Sequence, residues 1–162
     1  MSTPASIRNH PIHPMLVVFP FALWTTAVVF DIVGLVTGNS TYRTVAFYDI
    51  AAGIVGGVAA AVPGIIDYFS LRGRARRIGT YHALLNVLAL LLFTASWVLR
   101  TQWGTGVVGR DSWIPELTAI VGVALIFPSG WLGGSLVYEH GTGVDAAANR
   151  FESPRTQGRR VA

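Results

Sequence analysis

Four long apolar stretches, Met15–Thr37, Thr44–Phe69, Tyr81–Arg100 and Trp113–Tyr138, divide this chain. Each is near the roughly 20 residues that cross a bilayer as an α-helix. In hydrocarbon every backbone N–H and C=O must be satisfied within the spanning structure, so segments of this kind have little choice but to be helical. With 52% hydrophobic and 12% charged residues, the 162-residue chain is far less charged than a soluble domain, where about a quarter of residues are ionic. The first stretch exceeds the roughly 7–15 apolar residues of a secretory signal and is read as a retained helix.

The connections Gly38–Arg43, Ser70–Thr80 and Thr101–Ser112 are short, which forces neighbouring helices antiparallel. The expected fold is therefore an all-α membrane protein, four transmembrane helices in an up-down bundle. Residues 1–14 form an N-terminal segment, 15–144 the transmembrane domain, and 145–162 a polar, arginine-rich tail that reads as disordered. No internal repeat stands out.

All 12 basic residues are arginine. They flank apolar runs, where they set topology, and nucleic-acid binding is not indicated. Arg8, Arg72, Arg74, Arg76, Arg77, Arg150, Arg155, Arg159 and Arg160 lie on one side of the predicted bundle, against Arg43, Arg100 and Arg110 on the other. That asymmetry places both termini in the cytoplasm of a bacterial inner membrane, with anionic lipid headgroups as partners. Trp103 and Trp113 then fall near the outer interface and Tyr68, Tyr81 and Tyr138 near the inner one. Helices 2 and 4, rich in glycine and carrying Pro63 and Pro128, are expected to be kinked and closely packed.

The polar residues within this apolar frame need a reason. His10, His13, His82 and His140 all fall at the cytoplasmic end of the predicted helices, together with Asp67. In His10-Pro11-Ile12-His13-Pro14 the prolines favour an extended, polyproline-like backbone, which projects His10 and His13 from one edge. Asp67 is expected to face His82 and fix its tautomer, with Asn86 one turn further along the same helix. Asp31 and Asp49 form a smaller acidic set in the outer half, with Thr25, Arg43 and Tyr48 as candidate partners. Intramembrane acids of this kind mark functional sites or polar pairings.

The runs HPIHPMLVVFPFALW with Asp31, PGIIDYF, RRIGTYHALLN and GWLGGSLVYEHGTGV resemble the bacterial membrane-protein family known as domain of unknown function 2231. The resemblance covers His10 to Val144 and implies a four-helix integral membrane protein of bacteria. Its signature positions include His10, His13, Asp31, Asp67, His82, Asn86 and His140. Some members are fused or adjacent to c-type cytochrome domains, which suits a redox role.

Three functional classes follow. In the first, the bundle holds haem b, with His13 and His82 as axial ligands, His10 and His140 as alternates and Asp67 behind them. A close variant binds a metal ion through His10, His13, His82, His140 and Asp67. A redox partner protein would serve either version, and a homo-oligomer is the other candidate partner, called for chiefly by the transport class below. In the second, Asp31, Asp49, Asp67, Asn86 and the histidines form a proton or cation path. The third is a structural or assembly subunit in which these residues only tie helices together. No cysteine is present and no serine nucleophile stands beside a base, so hydrolytic enzymology is not indicated.

Overall fold

A computed structural model describes residues 3–101 and 113–144. The expectations for Trp103, Arg110 and the 145–162 tail concern residues outside these ranges.

Four helices, α1 (Ile12–Thr37), α2 (Ser40–Ser70), α3 (Gly73–Thr101) and α4 (Ile114–Tyr138), follow a two-stranded hairpin of β1 (Ser6–Ile7) and β2 (His10–Pro11). The shortest helix has 25 residues. At about 1.5 Å per residue each exceeds the roughly 30 Å hydrocarbon core of a bilayer. All four are long and apolar enough to span it.

Their surfaces are inverted relative to a soluble bundle. Asp31, Ser96, Arg100, Glu116 and Ser129 are buried, while Val18, Phe19, Leu35, Val55, Ile65, Leu91 and Phe127 are exposed. An apolar exterior of this extent has lipid as its natural solvent.

The turns follow from local chemistry. Gly38 ends α1 in the left-handed region at φ 69°, its N–H returning to the Gly34 carbonyl at 3.0 Å. Asn39 then caps α2 by accepting from the Thr41 N–H at 3.0 Å. Only Leu71 and Arg72 separate α2 from α3, and Gly73 enters α3 at φ 55°.

Two boundaries differ from expectation. The arginine-rich run expected as the Ser70–Thr80 loop is instead the first turns of α3. Arginine is a good helix former, and hydropathy marks where the apolar part of a helix begins, not where the helix does. The backbone over His10–Pro14 is also not continuously extended. His10–Pro11 pairs with Ser6–Ile7, and α1 begins at Ile12 with Pro14 in its first turn, where a missing N–H costs nothing. His10 and His13 therefore sit on different elements.

α1 packs against α2, and α3 against α4, as two hairpins joined through a core of Trp24, Ala27, Val28, Ala46, Ile50, Ala89, Phe93, Ala119 and Ile126. The hairpins are alike in detail, and here the structure corrects the expectation of no repeat. His13 bonds to Ala60 and His82 to Ser129, each over 47 residues. Asp31 and Arg100 are 69 positions apart. The same offset relates His13 to His82, Trp24 to Phe93, Ala27 to Ser96, Gly53 to Gly122 and Gly64 to Gly133. Three of these equivalents touch one another: His13 with His82, Trp24 with Phe93, and Asp31 with Arg100. A residue that meets its own counterpart lies beside a two-fold axis, so an approximate two-fold runs between α1 and α3.

Candidate functional site

Along that axis lie three layers. At the end carrying the N-terminal hairpin, the rings of His13 and His82 stand 6.0 Å apart between centroids, their planes at 89°. In the middle, Trp24 and Phe93 stack with centroids 4.4 Å apart and planes within 9°. Toward the other end, Arg100 donates to both oxygens of Asp31, at 2.8 and 2.6 Å, with both side chains essentially inaccessible.

The histidine layer is built by glycines. The His13 Nδ1–H donates to the Ala60 carbonyl at 2.8 Å, and one turn later Gly64 leaves room for the ring: a Cβ there would stand 2.8 Å from His13 Nδ1. On the other hairpin, the His82 Nδ1–H donates to the Ser129 carbonyl at 2.8 Å, and a Cβ on Gly133 would stand 3.1 Å from His82 Cε1. With Nδ1 protonated, Nε2 is the basic nitrogen of both rings. The Asn86 amide donates to His82 Nε2 at 3.1 Å and to the His82 carbonyl at 3.0 Å, while the Ser129 hydroxyl donates to that same carbonyl at 3.2 Å.

The other expected site residues lie elsewhere. His10 is exposed and its Nδ1–H donates to the Arg8 carbonyl at 2.9 Å. His140 donates to the Ser135 carbonyl at 3.1 Å. Asp67 is buried and accepts from the Ala5 N–H at 2.9 Å, so it anchors the N-terminal segment where a pairing with His82 was expected. Asp49 accepts from Thr26 at 3.2 Å. Among the described residues no group of three or more histidines and carboxylates is placed to hold a metal ion.

Sequence reasoning missed the charge layer. Arg100 was expected as a topogenic charge at the end of the third span and Arg43 as a partner of the outer aspartates. Arg43 pairs instead with Glu116, which is 2% exposed. Asp31, Arg43, Arg100 and Glu116 thus come one from each helix. The available signal was that Asp31, Arg100 and Glu116 stand inside or at the edge of apolar segments, where an unpaired charge is costly.

Apolar-surfaced spanning helices enclosing paired imidazoles and buried ion pairs define a multi-pass α-helical membrane protein. Residues 9–146 match the model of the predicted membrane protein family DUF2231, and the chain belongs to that family. No curated protein and no solved structure matches it.

Proposed function

We propose that this protein is a membrane-embedded electron-transfer module that binds one haem b through His13 and His82. One observation carries the reading: two imidazoles from different helices meet beside the two-fold, centroids 6.0 Å apart and planes at 89°, each with Nδ1–H held by a backbone carbonyl. A hydrogen-bonded Nδ1 orients a ligating histidine and raises the basicity of Nε2, and two imidazoles are a haem ligand set that needs no cysteine. Four-helix bundles build cofactor sites from side chains on facing helices in this way. A haem iron takes two protein ligands, whereas a bare ion held by protein alone needs more donors than meet here.

Haem would supply one-electron transfer at a potential set by its ligands and surroundings. The chain's own residues do the positioning. Ala60 and Ser129 hold the ring orientations, Gly64 and Gly133 give the rings space, and Asn86, which donates to His82 Nε2 and to the His82 carbonyl, would release the nitrogen and keep the carbonyl when a ligand is bound. The Trp24–Phe93 stack closes the site from the ion-pair end, which weighs against a continuous proton path. The arginine asymmetry supports a cytoplasmic location for the histidine layer in a bacterial inner membrane, and electron transfer implies a redox partner protein there.

Absorption spectra of detergent-purified protein from haem-replete cells, oxidised and then reduced, test the reading. A Soret band with sharpened bands on reduction, lost in His13→Ala and in His82→Ala, is expected. A colourless wild-type protein overturns it, and stoichiometric metal without a Soret band replaces haem with an ion.

A further inference from the structure

The two-fold that brings His13 and His82 together does not make them alike. On the first hairpin the His13 Nδ1–H donates to the Ala60 carbonyl at 2.8 Å, and Nε2 has no hydrogen-bond partner among the described residues. Nor is that nitrogen sealed in: the buried, unpartnered polar side-chain atoms among the described residues are Thr3 Oγ1, Trp97 Nε1 and Glu116 Oε2. His13 Nε2 is therefore open to an incoming group.

On the second hairpin both ring nitrogens are held. The His82 Nδ1–H donates to the Ser129 carbonyl at 2.8 Å, and the Asn86 amide stands 3.1 Å from Nε2. A neighbour fixes the direction of that second bond. The same amide nitrogen lies 3.0 Å from the His82 backbone carbonyl, which can only accept, so the group there is the NH2, with one proton for the carbonyl and one for Nε2. While Nε2 accepts from Asn86, its lone pair is occupied and cannot bind a metal centre or attack an electrophile.

The fold does not require this difference. At the 69-residue offset Asn86 corresponds to Val17 and Ser129 to Ala60. Val17 stands one turn after His13 in α1, as Asn86 does after His82 in α3, yet it carries no donor. We propose that Asn86 is a positioning residue that keeps His82 Nε2 occupied, so that His13 takes an incoming metal centre first and His82 completes the site when Asn86 releases it. This order of use rests on the reading of the two imidazoles as a ligand set.

Diethyl pyrocarbonate carbethoxylates an imidazole nitrogen whose lone pair is free, and so reads the difference directly. The full chain from haem-depleted cells is treated in detergent at about pH 8, above the usual imidazole range, and each histidine is followed by peptide mass spectrometry. His13 is expected to react faster than His82. Asn86→Val is expected to speed His82 about fivefold, the worth of a neutral hydrogen bond, with His13 and the exposed His10 unchanged. Val17→Asn places the same amide one turn after His13 and is expected to slow His13 by a similar factor. A merely structural role for Asn86 would move the unfolding midpoint and leave the ratio of the two rates alone.

A wild-type His82 rate equal to or above that of His13 overturns the proposal, as does a His82 rate unchanged in folded Asn86→Val. If that variant does not fold, a His13 rate unchanged in Val17→Asn overturns it instead. A colourless wild-type protein with unequal histidines removes haem and keeps the order of use for another metal centre; a Soret band with equal histidines keeps haem and removes the order.

Discussion

Asp31 and Arg100 form a two-point ion pair, Oδ1 to Nη1 at 2.8 Å and Oδ2 to Nη2 at 2.6 Å, between equivalent positions of the two hairpins. Removing one partner of a buried pair leaves the other charge uncompensated, at a cost of about 3–5 kcal/mol. Asp31→Asn and Arg100→Met are each expected to lower the unfolding midpoint of the detergent-solubilised protein sharply. Because the two positions are related by the two-fold, the exchange Asp31→Arg with Arg100→Asp recovers most of that loss. An exchange variant no more stable than the singles would show that the surroundings, not the pairing, decide stability here.

The glycines under the aromatic stack set a second expectation. A Cβ on Gly53 would collide with the Trp24 indole nitrogen, whereas one on Gly122 would meet Phe93 Cε2 at 2.8 Å. Overpacking a close-packed core costs about 1–3 kcal/mol. Gly53→Ala is expected to destabilise more than Gly122→Ala, read from the same unfolding curves.

At the histidine layer the spectrum discriminates between residues. His13→Ala and His82→Ala abolish the expected Soret band, while His10→Ala and His140→Ala leave it in place, because neither His10 nor His140 joins the facing pair. Gly64→Ala presses on His13 Nδ1 and is expected to shift or weaken the band without removing a ligand. Loss of the band in His10→Ala alone would reassign the site.

Asp67 has a separate role. Asp67→Ala removes the acceptor of the Ala5 N–H, which is worth about 1–3 kcal/mol to that segment. Hydrogen exchange is expected to accelerate over Ala5–Ile12 and not in the middle of α1. Asp67→Asn keeps an acceptor oxygen and changes exchange little.

The four spans and their antiparallel order were legible in the chain itself, because length and hydropathy alone decide whether a helix can cross a bilayer. The family was legible too, in short blocks that survive from His10 to Val144. The Asn86–His82 neighbourhood is of the same local kind, one helical turn on one face.

Which polar groups meet was decided only by packing. Reading along the chain, Asp67 is the natural partner of His82, Arg100 a topogenic charge at a span end, and the repeat invisible. In three dimensions His82 finds Ser129, Arg100 finds Asp31, and the hairpins correspond at an offset of 69 positions. The reason is physical: lipid accepts almost any apolar side chain, so outward positions retain little trace of a repeat, whereas the few contacts at the two-fold are held by shape and charge. Hydropathy determines that these helices enter the membrane; the rotation of each helix about its own axis, settled by glycine and proline packing, determines which histidines and charges face one another.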